Sequence, residues 1–190
     1  MDISRIYKSK TRKELFRLYF TNPDNEYYLR ELERLLDIPV SMIRNELINL
    51  EKDGIFISRK KGNLIFYYLD KNYPLFDELK SIVSKTIGVQ GLLKEILQKL
   101  KGVEFAFIYG SFAKKEENAK SDIDVLIAGS IDESKLLSNV RGLEEAIKRE
   151  INYTLFTKAE FKKKVKGRDS FILDVIKNPK IFLVGNKNEL

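Results

Sequence analysis

Gly110-Ser111-Phe112-Ala113-Lys114-Lys115 and, after five more residues, Ser121-Asp122-Ile123-Asp124-Val125-Leu126-Ile127 form the stretch on which the reading of this chain turns. It follows Val103-Glu104-Phe105-Ala106-Phe107-Ile108-Tyr109, an apolar run of the buried-strand kind. Gly110-Ser111 then breaks the strand pattern and opens a short helical stretch. The run from Ser121 to Ile127 starts a second strand. Residues two apart on a strand share a face, so Asp122 and Asp124 point the same way. Two carboxylates a few ångströms apart repel unless a cation lies between them.

A hard cation with oxygen ligands suits such a pair, and Mg²⁺ is the natural choice, as one ion or as two. Gly110 lets backbone come close to a phosphate, and the Ser111 hydroxyl can donate to its oxygens. A metal on one strand and a phosphate cradle at the end of the previous one suit a nucleoside triphosphate, with ATP the expected one. Outside this stretch, Leu92 to Leu100 and Asp132 to Glu150 have helical periodicity. Ile151 to Phe156 reads as a third strand, Phe161 to Val165 and Phe171 to Ile176 as helices, and Ile181 to Val184 as a late strand. Phe105, Phe107 and Tyr109 read as core. Lys162, Lys163, Lys164, Lys166 and Arg168 read as a solvated helix face, with a phosphate-contacting patch as the alternative.

Residues 90–157 resemble the minimal members of the polymerase-beta-type nucleotidyltransferase superfamily, whose signature is Gly-Ser, a short helix and an Asp-x-Asp strand. Ser121 lies eleven positions after Gly110, the usual spacing. The resemblance implies a small mixed-sheet fold and a transferase site. Asp122 and Asp124 would bind metal and act in catalysis; Gly110, Ser111, Lys114 and Ser121 would bind the nucleotide. Lys114-Lys115 stands where the family commonly has Arg-Gly, and a lysine offers no bidentate fork. The family's third acidic residue falls on Asn152, which is neutral and cannot take the proton of an attacking hydroxyl. Glu150 could stand in, or an external base. Two readings stay open: an active transferase, or a degenerate site that binds nucleotide or metal without transfer.

The first 80 residues carry a different pattern. Helical stretches Lys10 to Phe20 and Tyr28 to Leu36 precede the turn Asp37-Ile38-Pro39. Ser41 stands where a helix N-cap would, and Ile43, Leu47 and Leu50 face inward on a third helix. Gly54 stops it. Two β-rich runs, Ile55 to Ile57 and Ile65 to Leu69, flank the basic turn Arg59-Lys60-Lys61-Gly62-Asn63. The stretch Tyr27 to Leu79 resembles the arsenical-repressor type of winged-helix transcriptional regulator. That resemblance implies DNA as partner, with Ser41, Met42, Arg44, Asn45 and Asn49 outward in the major groove and Arg59, Lys60 and Lys61 on phosphates. Winged helices also serve in protein contact and dimerisation, so a homodimer belongs to the same expectation.

The expected fold class is therefore α/β: a winged helix-turn-helix over residues 1–85 and a nucleotidyltransferase-like domain over 86–190, joined by a helix at Leu75 to Ile87. The 190 residues contain neither cysteine nor histidine. That excludes disulfides, thiol nucleophiles, Ser-His-Asp catalysis and imidazole metal sites. The net charge of +7 suits a phosphate-bearing partner. It splits as +2 over residues 1–80 and +5 over 81–190, so charge does not single out the first domain as a nucleic-acid binder. No run approaches the roughly 18 apolar residues of a membrane span, and a cytoplasmic location is expected. Possible acceptor classes for a transferred nucleotide are a protein side chain, a small molecule or a nucleic-acid end.

Overall fold

The computed structural model describes residues 7, 9–114, 116 and 121–190. It divides into two compact units, Met1–Val89 and Gln90–Leu190. Most of the expected polar loop Glu116 to Lys120, and Lys115 before it, lie outside the described residues.

In the first unit, α1 (Lys10–Thr21) begins at Ser9, whose hydroxyl accepts from the Arg12 N–H at 3.0 Å. Its apolar stripe buries Leu15, Phe16, Leu18, Tyr19 and Phe20. Tyr19 is the hub of this core. Its ring meets Tyr27 and Phe56 edge-on, with centroids 5.2 and 4.8 Å away, and its hydroxyl donates to the Tyr67 carbonyl at 3.1 Å. Tyr28, expected as the first residue of the second helix, instead pairs with Tyr27 as strand β1 (Tyr27–Tyr28), and α2 (Leu29–Leu36) starts after it. Its partners Tyr67 and Phe66 lie some forty residues on, a pairing that local pattern does not reveal.

Helix α3 (Val40–Lys52) starts one residue before Ser41, so Ser41 is not the cap. Pro39 stands in the cap position, pre-set at φ −55°, and the Val40 N–H finds the Glu33 carboxylate at 3.3 Å instead. Strands β2 (Phe56–Lys61) and β3 (Leu64–Leu69) pair tightly, with Lys61 opposite Leu64. The turn is thus only Gly62-Asn63, and Arg59, Lys60 and Lys61 lie in the strand rather than in a loop. Gly62, at φ 60°, occupies the first central position, where two-residue hairpin turns favour glycine. The sheet order is β1-β3-β2, and α4 (Phe76–Thr86) follows it.

In the second unit, α5 (Val89–Lys99) leads to β4 (Val103–Tyr109), α6 (Gly110–Lys114) and β5 (Ile123–Gly129). Then come α7 (Glu133–Ile147), β6 (Ile151–Phe156), α8 (Lys158–Lys166), α9 (Ser170–Lys177) and β7 (Ile181–Val184). The four strands form one small mixed sheet in the order β6-β5-β4-β7; β5 and β6 run parallel and the other pairs antiparallel. Register partners share a face, so three rows cross it. They are Phe105–Ala128–Phe156, Phe107–Leu126–Thr154 and Tyr109–Asp124–Asn152. Phe161 of α8 and Ile172 and Val175 of α9 pack on the first two rows. The third row turns polar where that cover runs out.

Candidate functional site

The polar end of the sheet brings together both signature segments. Asp124, in β5, lies opposite Tyr109 on one side and Asn152 on the other. Asp122 precedes the strand and is exposed, yet its charge still reaches Asp124. Burial first and the Asp122 carboxylate second push the Asp124 carboxyl above the usual carboxylate range.

Gly110 makes this packing feasible. Its φ is 70°, and a Cβ there would sit 2.4 Å from Asp124 Oδ2. Any other residue would push that carboxylate away from the strand-to-helix turn. Ser111 is half-buried beside it and Lys114 is exposed at the end of α6. Ser121 holds its carbonyl toward Arg149, which donates through Nε at 3.0 Å and Nη2 at 2.7 Å. The Arg149 guanidinium also lies over the Phe112 ring at 5.7 Å. One nearly buried arginine thereby ties the start of β6 to the Asp-x-Asp segment and to α6.

Asn152 Nδ2 donates to Asp122 Oδ2 at 3.0 Å. An ionised carboxylate only accepts, so the amide must turn its NH₂ toward it. Glu150 is exposed, in an open depression with Glu144, Lys148 and Arg149, and its carbonyl accepts from the Ile123 N–H at 3.0 Å. Among the described residues no three of His, Cys, Asp and Glu gather as a metal-holding group. The two aspartates nevertheless fit a divalent cation: the Asp122 charge raises the cost of ionising Asp124, Asp124 is half-buried, and the backbone beside it at Gly110 carries no side chain.

Tyr109 departs from the expectation of a core residue. It is half-buried at the head of the polar row, packed against the core rather than within it. Burial and, in smaller part, the Asp124 charge raise its pKa. Strand alternation through Phe105 and Phe107 could have flagged Tyr109 as sharing the face of the aspartates. Nothing local points to Arg149.

The Asp124 shift has a sign. The folded chain binds this proton more tightly than the unfolded chain, so stability falls as pH rises from the ordinary aspartate value, about 4, through the raised one. Asp124→Asn removes that cost. Its Tm is expected to exceed the wild type's at pH 7 and to converge with it near pH 3, measured by thermal melts without divalent cation.

In the first unit, Ser41, Met42, Arg44, Asn45 and Asn49 are all exposed, while Ile43, Leu47 and Leu50 are fully buried. The hairpin cations divide between two faces. Arg59 and Lys61 lie over Tyr68 and Phe66, at 5.4 and 5.1 Å from the ring centres, and both pair with the Glu26 carboxylate. Lys60 is exposed on the opposite face.

No helix among the described residues is long and apolar enough to cross a membrane. An uncharacterized HTH-type transcriptional regulator of Methanocaldococcus jannaschii is 35% identical over 68 residues, which is 36% of this chain and 17% of that relative's length. Among solved structures, the crystal structure of a toxin-antitoxin with AMP-PNP shares 12% identity. It covers 53% of this chain and 76% of its own, with a TM-score of 0.37. Residues 92–183 match the family described as Polymerase beta, Nucleotidyltransferase, a stretch that takes in Asp124 and the small mixed sheet around it.

Proposed function

We propose that the second unit transfers a nucleoside monophosphate from a nucleoside triphosphate to a hydroxyl, and that the first unit binds DNA. The observation that carries the transferase reading is the Asp124 carboxylate, packed where a Gly110 Cβ would be and within reach of the Asp122 charge. Asp122 and Asp124 would hold Mg²⁺, which when bound supplies positive charge at the phosphates. Gly110 and Ser111 present backbone and hydroxyl to phosphate oxygens, and Lys114 adds a point charge. The acceptor oxygen bonds to the α-phosphorus, the bond to the β-phosphate oxygen breaks, and pyrophosphate leaves. The hydroxyl proton passes to Glu150 or to water. Arg149, through Ser121, keeps Asp122 in place, and Asn152 orients it.

Asn152 is the weak point for catalysis. Loss of a general base typically costs about 10²–10⁴-fold. Asn152→Asp is expected to raise Mg²⁺-dependent transfer at least tenfold and, by placing a third carboxylate beside Asp122, to lower Tm in the absence of Mg²⁺. The assay is labelled-nucleotide incorporation over a panel of acceptors that includes the protein itself. No gain with Asn152→Asp, together with silence of Glu150→Gln, assigns the third carboxylate to Glu150. The hydrogen bond from Asn152 to Asp122 favours a second reading, a regulator whose nucleotidyltransferase-type domain binds nucleotide without transfer. Nucleotide binding with no transfer by any variant leaves that reading alone standing.

The order of helices and hairpin in the first unit supports a winged helix, with α3 as the recognition helix. Its exposed polar face would read base edges and Lys60, on its own face of the hairpin, would meet a phosphate. Arg44→Ala is expected to relax sequence preference, whereas Lys60→Ala weakens all duplexes alike and lowers the salt slope by about one. Gel retardation across a salt series reads both effects. A wild type that retards no duplex at low salt assigns this unit to protein contact.

A further inference from the structure

The aromatic residues of the second unit form a ladder that ends at the carboxylates. Phe161 meets Phe105 edge-on at 5.0 Å, Phe105 stacks on Phe107 at 6.2 Å, Phe107 meets Tyr109 at 6.5 Å, and Tyr109 meets Phe171 at 5.8 Å. Burial falls along it. Phe161, Phe105 and Phe107 are at most 1% exposed, Tyr109 is half-buried, and Phe171 is 40% exposed. Among the described residues of this unit, Phe171 is the aromatic side chain among the exposed large hydrophobics; the others are Leu137 and Leu173.

Helix α9 has anchors other than Phe171. Ile172 and Val175 anchor that helix in the core, and the Asp169 carboxylate caps it, accepting from the Ile172 N–H at 3.1 Å and from Lys164 at 2.7 Å. The ring is therefore presented from a rigid element, one residue beyond Tyr109, which itself lies opposite Asp124 in the sheet. An aromatic ring partly in water, packed on the tyrosine that lies opposite Asp124, has the chemistry of a base platform, since every nucleobase has a π-face.

We propose that Phe171 stacks the base of the nucleotide whose phosphates lie at Gly110, Ser111, Asp122 and Asp124. The inference rests on the nucleotide-binding reading of that site. Stacking selects by π-surface and not by edge hydrogen bonds, so purine nucleotides bind more tightly than pyrimidine ones and ATP and GTP bind alike.

The chain has no tryptophan, so Phe171→Trp places a single tryptophan, excited selectively over the nine tyrosines, at this position. The expected result is quenching of Phe171→Trp emission by Mg·ATP and not by Mg·tripolyphosphate, which has phosphates but no base. In calorimetric titrations, Phe171→Ala and Phe171→Leu are expected to bind ATP about tenfold more weakly than wild type. Tripolyphosphate affinity and the far-ultraviolet circular dichroism spectrum stay unchanged. Phe171→Leu keeps apolar cover over Tyr109, so it separates loss of a π-face from loss of packing. Unchanged ATP affinity in both variants, with unquenched Phe171→Trp, places the base elsewhere and overturns the proposal. A wild type that binds tripolyphosphate but gains nothing from the base also overturns it, while sparing the phosphate site. A wild type that binds neither ligand overturns the site reading and this inference with it.

Discussion

Replacing Asp122 and Asp124 together by Asn is expected to lower nucleotide transfer by about 10³-fold, the largest loss of any change in this protein. A metal at developing phosphate charge is worth several kcal/mol, and each 1.36 kcal/mol is a factor of ten in rate. The two carboxylates are the charges that would hold it. Both lie at the polar end of the sheet, and Asp124 resists ionisation because of burial and of Asp122. The change is isosteric and removes repulsion, so the fold should survive it. Thermal melts should show the double variant at least as stable as wild type without divalent cation, and unresponsive to Mg²⁺, while wild type gains stability with Mg²⁺. DNA retardation should not change. Transfer at wild-type rate in the double variant would sink the metal-site assignment.

Gly110→Ala comes next in size, and it acts on both fold and site. The left-handed φ of 70° costs an L side chain about 1–2 kcal/mol. The added Cβ would also fall 2.4 Å from Asp124 Oδ2, so the carboxylate must move. The combined effect is a Tm lower by about 5 °C for a chain of this size. A displacement near 1 Å at a reacting group costs about 10²-fold in rate. Gly142→Ala is the control. It lies inside α7 with nothing within 4 Å of its would-be Cβ, and alanine there is expected to be neutral or stabilising. If Gly110→Ala matches Gly142→Ala in Tm and in transfer, the close approach at Gly110 has no functional weight.

Much of the second unit was legible along the chain. The strand bounds Val103–Tyr109, Ile151–Phe156 and Ile181–Val184 are those read from apolar and β-branched runs; of the three only Val103–Tyr109 is central, and burial on both faces gives it a continuous apolar segment. The Gly-Ser and Asp-x-Asp pair was legible because its parts sit at strand ends whose spacing is local. Helix α3 was legible as an amphipathic stripe, and its exposed residues are the ones the period of 3.6 assigns outward.

Other features were set by contacts far apart in sequence. Tyr27–Tyr28 is a strand because Phe66 and Tyr67 offer it an edge, and two residues carry no period of their own. The start of α3 was decided by Glu33 reaching the Val40 N–H and by the fixed φ of Pro39, not by the hydroxyl of Ser41. Arg59 and Lys61 read as a basic tip, yet the strand continues through them and brings both to Glu26, 33 and 35 residues away.

In the site, the sequence by itself determined which residues carry charge, which lack it and which two carboxylates are neighbours. Sheet register alone decided that Tyr109, Asp124 and Asn152 form one row, that Asn152 donates to Asp122, and that Arg149 grips the Ser121 carbonyl. The physical reason is range. Periodicity, turn chemistry and caps act over a few residues and are written in adjacent letters. A register, a shared hydrogen bond or a carboxylate packed against a glycine joins segments that only the closed fold brings together.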